Sequence, residues 1–192
     1  MSYLKSSDIA EMEEMFGKPR ELYTEVEMTP EELMQVRQSQ VSGRAHDITL
    51  FIFKDDKMLF TAKHFYPPGL YRAPSGAVKP GENIIEGAKR EAFEETGAEI
   101  QLEEYLLRIR VKFYCDDDYI NWTSHVFEAK YVSGEIRPHD TEEIREARFI
   151  DKKDIEHFNE TMLKLNIGGF RYRVFLTENT LKQLERKHNE NR

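Results

Sequence analysis

Apolar residues recur along the chain at two spacings, and the switch between them marks out the elements. From Ser7 to Phe16, the residues Ile9, Met12, Met15 and Phe16 stand at helical intervals, and Gly17 and Pro19 end the run. Glu21 to Met28 alternates, with Leu22, Val26 and Met28 on one side, which predicts a strand. Thr29-Pro30-Glu31-Glu32 predicts a helix start: Thr29 as N-cap, Pro30 in the first turn, Glu32 closing a capping box. That helix runs to about Gln40, and Ser42-Gly43 breaks it. Ile48 to Phe53 is almost continuously apolar, as in a strand covered on both faces. Asp55-Asp56 turns into a second strand, Met58 to His64, and a loop opening with Pro67-Pro68-Gly69 lasts to Glu82. A helix covers Ile84 to about Thr96. Strands follow at Glu104 to Cys115 and Tyr119 to Tyr131, joined by Asp116-Asp117-Asp118. A strand at Ala147 to Ile150 and helices at Lys152 to Asn166 and Glu178 to His188 complete the order. Strands and helices mix without a regular βα repeat, so the expected class is α/β in the α+β sense, a sandwich around a mixed sheet. Residues 1–44 read as an N-terminal extension of helix, strand and helix, 45–151 as the core, and 152–192 as C-terminal helices packed on it. The extension is expected to cap the core or to meet a second subunit.

Composition narrows the functional classes. The chain has 192 residues, 39% hydrophobic and 33% charged, as in a globular protein with one sizeable core. No apolar run approaches the ~20 residues of a membrane helix. The acidic start around Asp8, Glu11, Glu13 and Glu14 reads as neither a signal nor a transit peptide. With one cysteine, Cys115, no disulfide forms within the chain and a cytoplasmic home is expected. The formal net charge of −8 repels nucleic acid at long range, so no nucleic-acid partner is expected. An anionic substrate then needs local cations, either arginines or metal ions.

The chemistry concentrates between Gly76 and Ala98. Asn83 is placed to cap the helix, with Glu86 completing a box, and Gly97 to stop it. Glu91, Glu94 and Glu95 stand at i, i+3 and i+4, within an arc of about 100°. Like charges at this spacing cost a helix roughly 0.2–0.5 kcal/mol per pair, so a compensating divalent cation is expected. Ile85, Ala88 and Ala92 form a neighbouring apolar stripe that docks the helix on the sheet. Taken alone, such a glutamate cluster is as a rule a solvated face. The wider spacing decides otherwise.

That spacing is a glycine, five variable residues, a glutamate, seven more, then Arg-Glu-U-x-Glu-Glu-x-Gly-U, with U apolar. Gly76, Glu82, Arg90, Glu91, Glu94, Glu95 and Gly97 fill every fixed position. Seven such matches arise by chance about once in 10⁸ windows at ordinary residue frequencies. The segment resembles the Nudix box, and the surrounding element order extends the resemblance over roughly Ala45 to Asp151. Ala92 and Ala98 stand where bulkier aliphatics are common.

The resemblance implies a Nudix-type α/β/α sandwich around a mixed sheet, with the box as loop–helix–loop. It implies Glu91, Glu94 and Glu95 as metal ligands with the Gly76 carbonyl assisting, Arg90 and Glu82 as a structural ion pair, and Gly97 as helix terminator. The implied activity is magnesium-dependent hydrolysis, with manganese as a substitute, of the diphosphate bond in a nucleotide such as a dinucleoside polyphosphate or ADP-ribose. Water attacks phosphorus, the metal neutralises phosphate oxygens and acidifies the water, and a carboxylate takes the proton. For that base, beside the box glutamates, Glu143 in His139-Asp140-Thr141-Glu142-Glu143 is the choice and Glu142 the reserve; a charged surface turn is the plain alternative.

Substrate contacts follow less directly. Arg72, at the mouth of the expected cleft, is a candidate for phosphate. ADP-ribose-cleaving members often carry a proline at the position of Phe113, absent here. Members acting on dinucleoside polyphosphates often carry a tyrosine near the position of Tyr114, which makes Tyr114 the candidate for substrate binding. Tyr66 and Tyr71 are further stacking candidates, with packing as the alternative. Arg108, Arg110 and Lys112 alternate with apolar residues and form either a solvated face or a polyanion lure. Cys115 and Trp122 read as packing residues. A non-catalytic nucleotide sensor and an isoprenoid diphosphate isomerase are the competing functions, the latter disfavoured by the setting of Cys115. A homodimer is expected from the family. Glu95→Gln is expected to cut turnover with little loss of stability.

Overall fold

The apolar run from Ile48 to Phe53 lies at the centre of the molecule. In the computed structural model, which describes residues 4–190, it is the middle of β2 (His46–Lys54). Ile48, Leu50 and Ile52 pack on one side and Phe51 on the other, all at most 1% exposed. A strand covered on both faces has no polar side to alternate with. Residues 1–3 of the 1–44 segment and 191–192 of the 152–192 segment lie outside the described residues.

The remaining elements, in chain order, are α1 (Ser6–Phe16), β1 (Arg20–Glu27) and α2 (Pro30–Ser39) before β2. After it come β3 (Lys57–Lys63), β4 (Ser75–Gly76), α3 (Ile84–Thr96), β5 (Glu99–Cys115), β6 (Asp118–Ser133), β7 (Ile144–Asp151), α4 (Lys152–Lys164) and α5 (Gly168–Glu190). The sheet order is β1-β5-β6-β2-β3-β7, with β4 paired to β2. The β1–β5 and β2–β6 pairs are parallel and the others antiparallel, so the sheet is mixed. One apolar cluster joins Met12 of α1 and Ala88 and Ala92 of α3 to one face. A second joins Leu33 of α2, Phe158 of α4 and Phe170 of α5 to the other. The expected α/β/α sandwich is the observed fold. The small Ala88 and Ala92, both fully buried, let α3 lie close on the sheet.

β5 serves both faces. Ile100, Leu102 and Tyr105 join the α3 cluster, whereas Leu107, Ile109, Val111 and Phe113 join the opposite one. The alternation changes phase at a register shift between Tyr105 and Leu107, as an extra residue in a strand requires. The strand also begins five residues before the expected Glu104, in the charged stretch from Glu99.

Three local expectations are corrected. α5 begins ten residues before Glu178, because Phe170, Tyr172, Val174 and Leu176 alternate like a strand yet are all buried in a helix covered on two sides. The α3 cap is made by Asn83 Oδ1 accepting from the Ile85 amide at 2.8 Å, not by a reciprocal box with Glu86. β1 pairs along its whole length with β5, so the segment before the core completes the sheet's edge. Its acidic side also takes up the basic stripe of β5: Glu13 and Glu21 hold Arg108, and Glu25 faces Lys112 at 3.7 Å. Arg108 and Lys112 are thereby paired, and Arg110 stays exposed with Glu21 4.0 Å away.

Candidate active site

α3 presents Glu91 and Glu94 to a cleft of about 480 Å³. The loop Ser75–Lys79 and α3 form one wall. Asp47 of β2 and Trp122 of β6 contribute to the floor, and Tyr172 and Arg173 of α5 stand with Asp140 and Glu143 on the remaining sides. The volume suits a small organic ligand.

Arg90 organises the box. Its Nε and Nη2 donate to the two oxygens of Glu82 at 2.8 and 3.0 Å, and Nη2 also to the Ala77 carbonyl at 2.7 Å. Its Nη1 donates to Glu91 and to Glu94, both at 2.8 Å. One guanidinium thus ties the loop before α3 to two carboxylates upon it, a task for a rigid fork of five donors. The Ala77 amide adds a bond to Glu91 at 3.1 Å. Glu91 lies so close over Gly76 that a Cβ there would overlap its carboxylate. Gly97 ends the helix in the left-handed region at φ 76°, its amide bonded to the Phe93 carbonyl.

Glu95 faces inward. It is 3% exposed, accepts from Arg72 Nη2 at 3.3 Å and from the Ser75 amide at 3.1 Å. Burial pushes its pKa above the usual carboxylate range, against the pull of Arg72 and Lys63. Glu91 is raised too, again first by burial, with Arg90 opposing. Arg72 lines the cleft but lies within it and not at its mouth: it is 3% exposed and its guanidinium also bonds Ser75 Oγ and the Ala73 carbonyl. A buried cation beside a buried carboxylate is held by that pairing.

The compensation expected from a metal is therefore supplied first by two arginines. Among the described residues, no three acidic or histidine side chains gather around one point. The donor set nonetheless fits a hard divalent ion, being all oxygen. Two of its carboxylates, the half-buried Glu91 and the buried Glu95, have raised pKa values, a cost that a nearby cation lowers.

Glu143 stands on the same cleft, its carboxylate 2.9 Å from Lys63 Nζ. Burial, then Arg72, pulls the Lys63 ammonium below its usual range. Glu142 is exposed and is not among the residues lining the cleft. Tyr114 is a correction: it shares the face of β5 with Lys112, opposite Phe113, which does line the cleft. The period of two decides this. Tyr66 and Tyr71 pack in the core, against Phe170 and Phe158.

Sequence reasoning missed Lys63, Asp140 and Arg173, and read Trp122 as packing alone. Trp122 Nε1 donates to Asp47 at 3.1 Å, and the Arg44 guanidinium lies 5.2 Å from its ring centre. Nothing in spacing marks these residues, because each comes from a different element.

Comparison with known proteins gives one consistent answer. The NUDIX domain profile matches residues 43–168. Nudix hydrolase 6 of Arabidopsis thaliana is 51% identical over 43 residues, which are 22% of this chain and 15% of that protein. The NAD-capped RNA hydrolase NudC of Chromobacterium violaceum is 30% identical over 95 residues, 50% of this chain and 33% of that protein. The chain thus spans a third or less of the length of these curated relatives. A NUDIX hydrolase structure from Nitrosomonas europaea shares the fold, with TM-score 0.52 and 22% identity, covering 76% of this chain and 73% of that one.

Proposed function

Because this chain belongs to the Nudix family, we propose that it hydrolyses the diphosphate bond of a nucleoside diphosphate joined to a second moiety, with magnesium as the working ion and manganese as a substitute. Family members act on pyrophosphate bonds in nucleotide-like substrates. The observation that carries the reading is a cleft with box carboxylates and Lys79 on one wall and Arg44, Lys63 and Arg173 on the others. Carboxylates suit the ion and the cations suit phosphate.

In the proposed reaction water bonds to one phosphorus and the bridging oxygen leaves with the other phosphate. Glu91, Glu94 and Glu95 would hold the ion, with Gly76 alongside. When bound, the ion supplies charge neutralisation at the phosphate oxygens and a more acidic water. Glu143 takes the water's proton, held toward the cleft by Lys63. Arg90 keeps Glu91 and Glu94 together and fixed to the loop; Arg72 does the same for Glu95. Lys79 and Arg173 attract the phosphates. The proposed substrate is a small molecule, such as a dinucleoside polyphosphate or ADP-ribose. Two relatives are named for NAD-capped RNA, but a net charge of −8 works against binding a long RNA here.

No described helix is long and apolar enough to cross a membrane. The reading includes a cytoplasmic setting and a homodimer, and sedimentation as a monomer at assay concentrations removes the latter. The central test is a panel of nucleotide diphosphate compounds in isotope-labelled water, with and without magnesium, with products identified by mass. Two phosphate-bearing fragments, one of them labelled, are expected, and none after chelation. Binding without turnover makes the chain a sensor; rearrangement without cleavage makes it an isomerase.

A further inference from the structure

The cleft does not end at the box. Beyond Lys63, Arg72 and Arg173, which line both spaces, it opens into an annex of about 310 Å³. Its apolar lining is Phe65 from the turn after β3, Ile167 just before α5, Phe170 in its first turn, and Met28 and Val36, which also line the cleft; Glu32 and Gln35 of α2 are its polar side. Phe65 is 74% exposed. A single exposed phenylalanine is ordinary. This one stands on a turn tied at both ends, by His64 Nε2 to the Thr141 carbonyl at 2.9 Å and by Arg145 Nη1 donating to the Tyr66 carbonyl at 2.7 Å. Tyr66, seated edge-on to it at 4.9 Å, is itself packed on Phe170. The ring is thus an anchored platform with a free face.

Arg173 stands where the two spaces meet. Its Nη1 is 3.4 Å from Thr49 Oγ1 and its Nη2 3.6 Å from Asp47 Oδ2, both long for a guanidinium. Asp47 already accepts from Trp122 and Ser124. The other buried or half-buried cleft arginine and lysine groups are held closer: Arg90 by three glutamates, Arg72 by Glu95 and Ser75, Lys63 by Glu143. Arg173 therefore has donors to spare. Thr49, its neighbour, pairs in register with Ser75, whose amide holds Glu95, so the guanidinium lies beside the innermost part of the box.

The box side alone has Glu91 and Glu94, both spaces share Lys63, Arg72 and Arg173, and the annex alone adds the Phe65 ring with Glu32 and Gln35 as polar groups. A nucleoside diphosphate has the complementary order: metal-bound phosphate, second phosphate, then a flat base with polar edges. We infer that the annex seats the substrate's nucleobase against Phe65 and that Arg173 grips the adjoining phosphate. This rests on the hydrolase reading and adds that α2 and α5, flanking the box-bearing core, decide what is bound.

The test is calorimetric titration without turnover. Adenosine, guanosine, cytidine and uridine monophosphates, and the matching sugar phosphate without a base, are bound to the parent, Phe65→Ala and Arg173→Lys proteins. The parent should favour at least one nucleotide over the sugar phosphate. Phe65→Ala should reduce that preference roughly tenfold, the range of base–aromatic stacking, and leave the sugar phosphate unchanged. Arg173→Lys should weaken both, with an unchanged melting temperature showing that the fold persists. Lack of preference in the parent, or parental binding by both variants, overturns the inference. If the panel shows turnover and these differences are missing, the inference fails alone; if they are present without turnover, the hydrolase reading fails and the nucleotide seat stands.

Discussion

Glu95→Gln tests whether the innermost box carboxylate also holds the cleft together. The sequence alone suggests a variant that loses turnover and little else. The structure changes the second half of that expectation. Glu95 and Arg72 are each 3% exposed and meet at 3.3 Å, and Glu95 also receives the Ser75 amide. A glutamine has one acceptor for these two donors and turns its NH₂ toward the other. Breaking a buried pair by removing one partner costs about 3–5 kcal/mol, because the remaining charge stays buried. The pair here is one long contact, not a bidentate fork, and burial already raises the Glu95 pKa, so the low end applies, about 3 kcal/mol. In a domain of this size that lowers the melting temperature by roughly 6–12 °C. Urea and thermal unfolding followed by circular dichroism measure it, beside steady-state turnover with magnesium. The double variant Arg72→Met, Glu95→Leu removes both charges and should regain most of the stability but none of the activity. A Glu95→Gln protein melting within about 2 °C of the parent would refute the argument, as it would mean that Arg72 needs no partner.

Other consequences follow from the same geometry. Arg90→Lys loses the fork that joins Glu82 to Glu91 and Glu94. The loop 77–82 should become a preferred site of limited proteolysis with a stability loss of about 2 kcal/mol; an unchanged digestion pattern contradicts this. Gly76→Ala forces Glu91 aside, away from Ala77 and Arg90. A ten- to hundredfold loss of magnesium affinity or turnover is expected in a metal titration, and parental values would show that Glu91 has no part in ion binding. His46 and His125 are buried, and burial lowers their pKa values to about 4 and about 3. Both are neutral when folded but gain a proton in the unfolded chain below about pH 6.5. Their stabilising contribution is thus complete above that pH and is lost as pH falls, by roughly 2 kcal/mol each between pH 7 and pH 5. Glu91 and Glu95, raised by burial, change in the opposite sense. His125→Gln should therefore flatten the acid side of the stability profile, and an identical slope in urea titrations counts against the buried pair.

The parts of the fold that could be read from sequence are those where one local constraint dominates. The α2 start was legible because its reciprocal cap is made within four residues: Thr29 Oγ1 accepts from the Glu32 amide at 3.2 Å and Glu32 Oε2 from the Thr29 amide at 2.9 Å. β2 was legible because burial on both faces leaves an unbroken apolar run. α5 was not. Phe170 and Val174 fall on one side of the helix and Tyr172 and Leu176 on the opposite one, and α5 packs against both the sheet and α4. Two-sided burial of a helix writes a strand-like alternation, and the Gly168-Gly169 start strengthens the false signal.

The site divides in the same way. The box is legible because its partners are neighbours in the chain: Arg90 reaches Glu82, Glu91 and Glu94 within one loop and one helix. Arg72 is four residues outside the box, and only the β3–β4 crossing, with Thr61 paired to Arg72, turns its side chain inward to Glu95. Asp47, Trp122 and Arg173 meet through a parallel strand pair and a helix that begins at the last residue of the family match and carries Arg173 beyond it. No spacing along the chain can encode that meeting. The carboxylates proposed to hold the ion therefore lie in one short segment, whereas the proposed base Glu143 and its partner Lys63 do not. The surface proposed to recognise the substrate draws on distant segments brought together by the sheet, so two chains with the same box and different flanking helices are expected to share chemistry and differ in substrate.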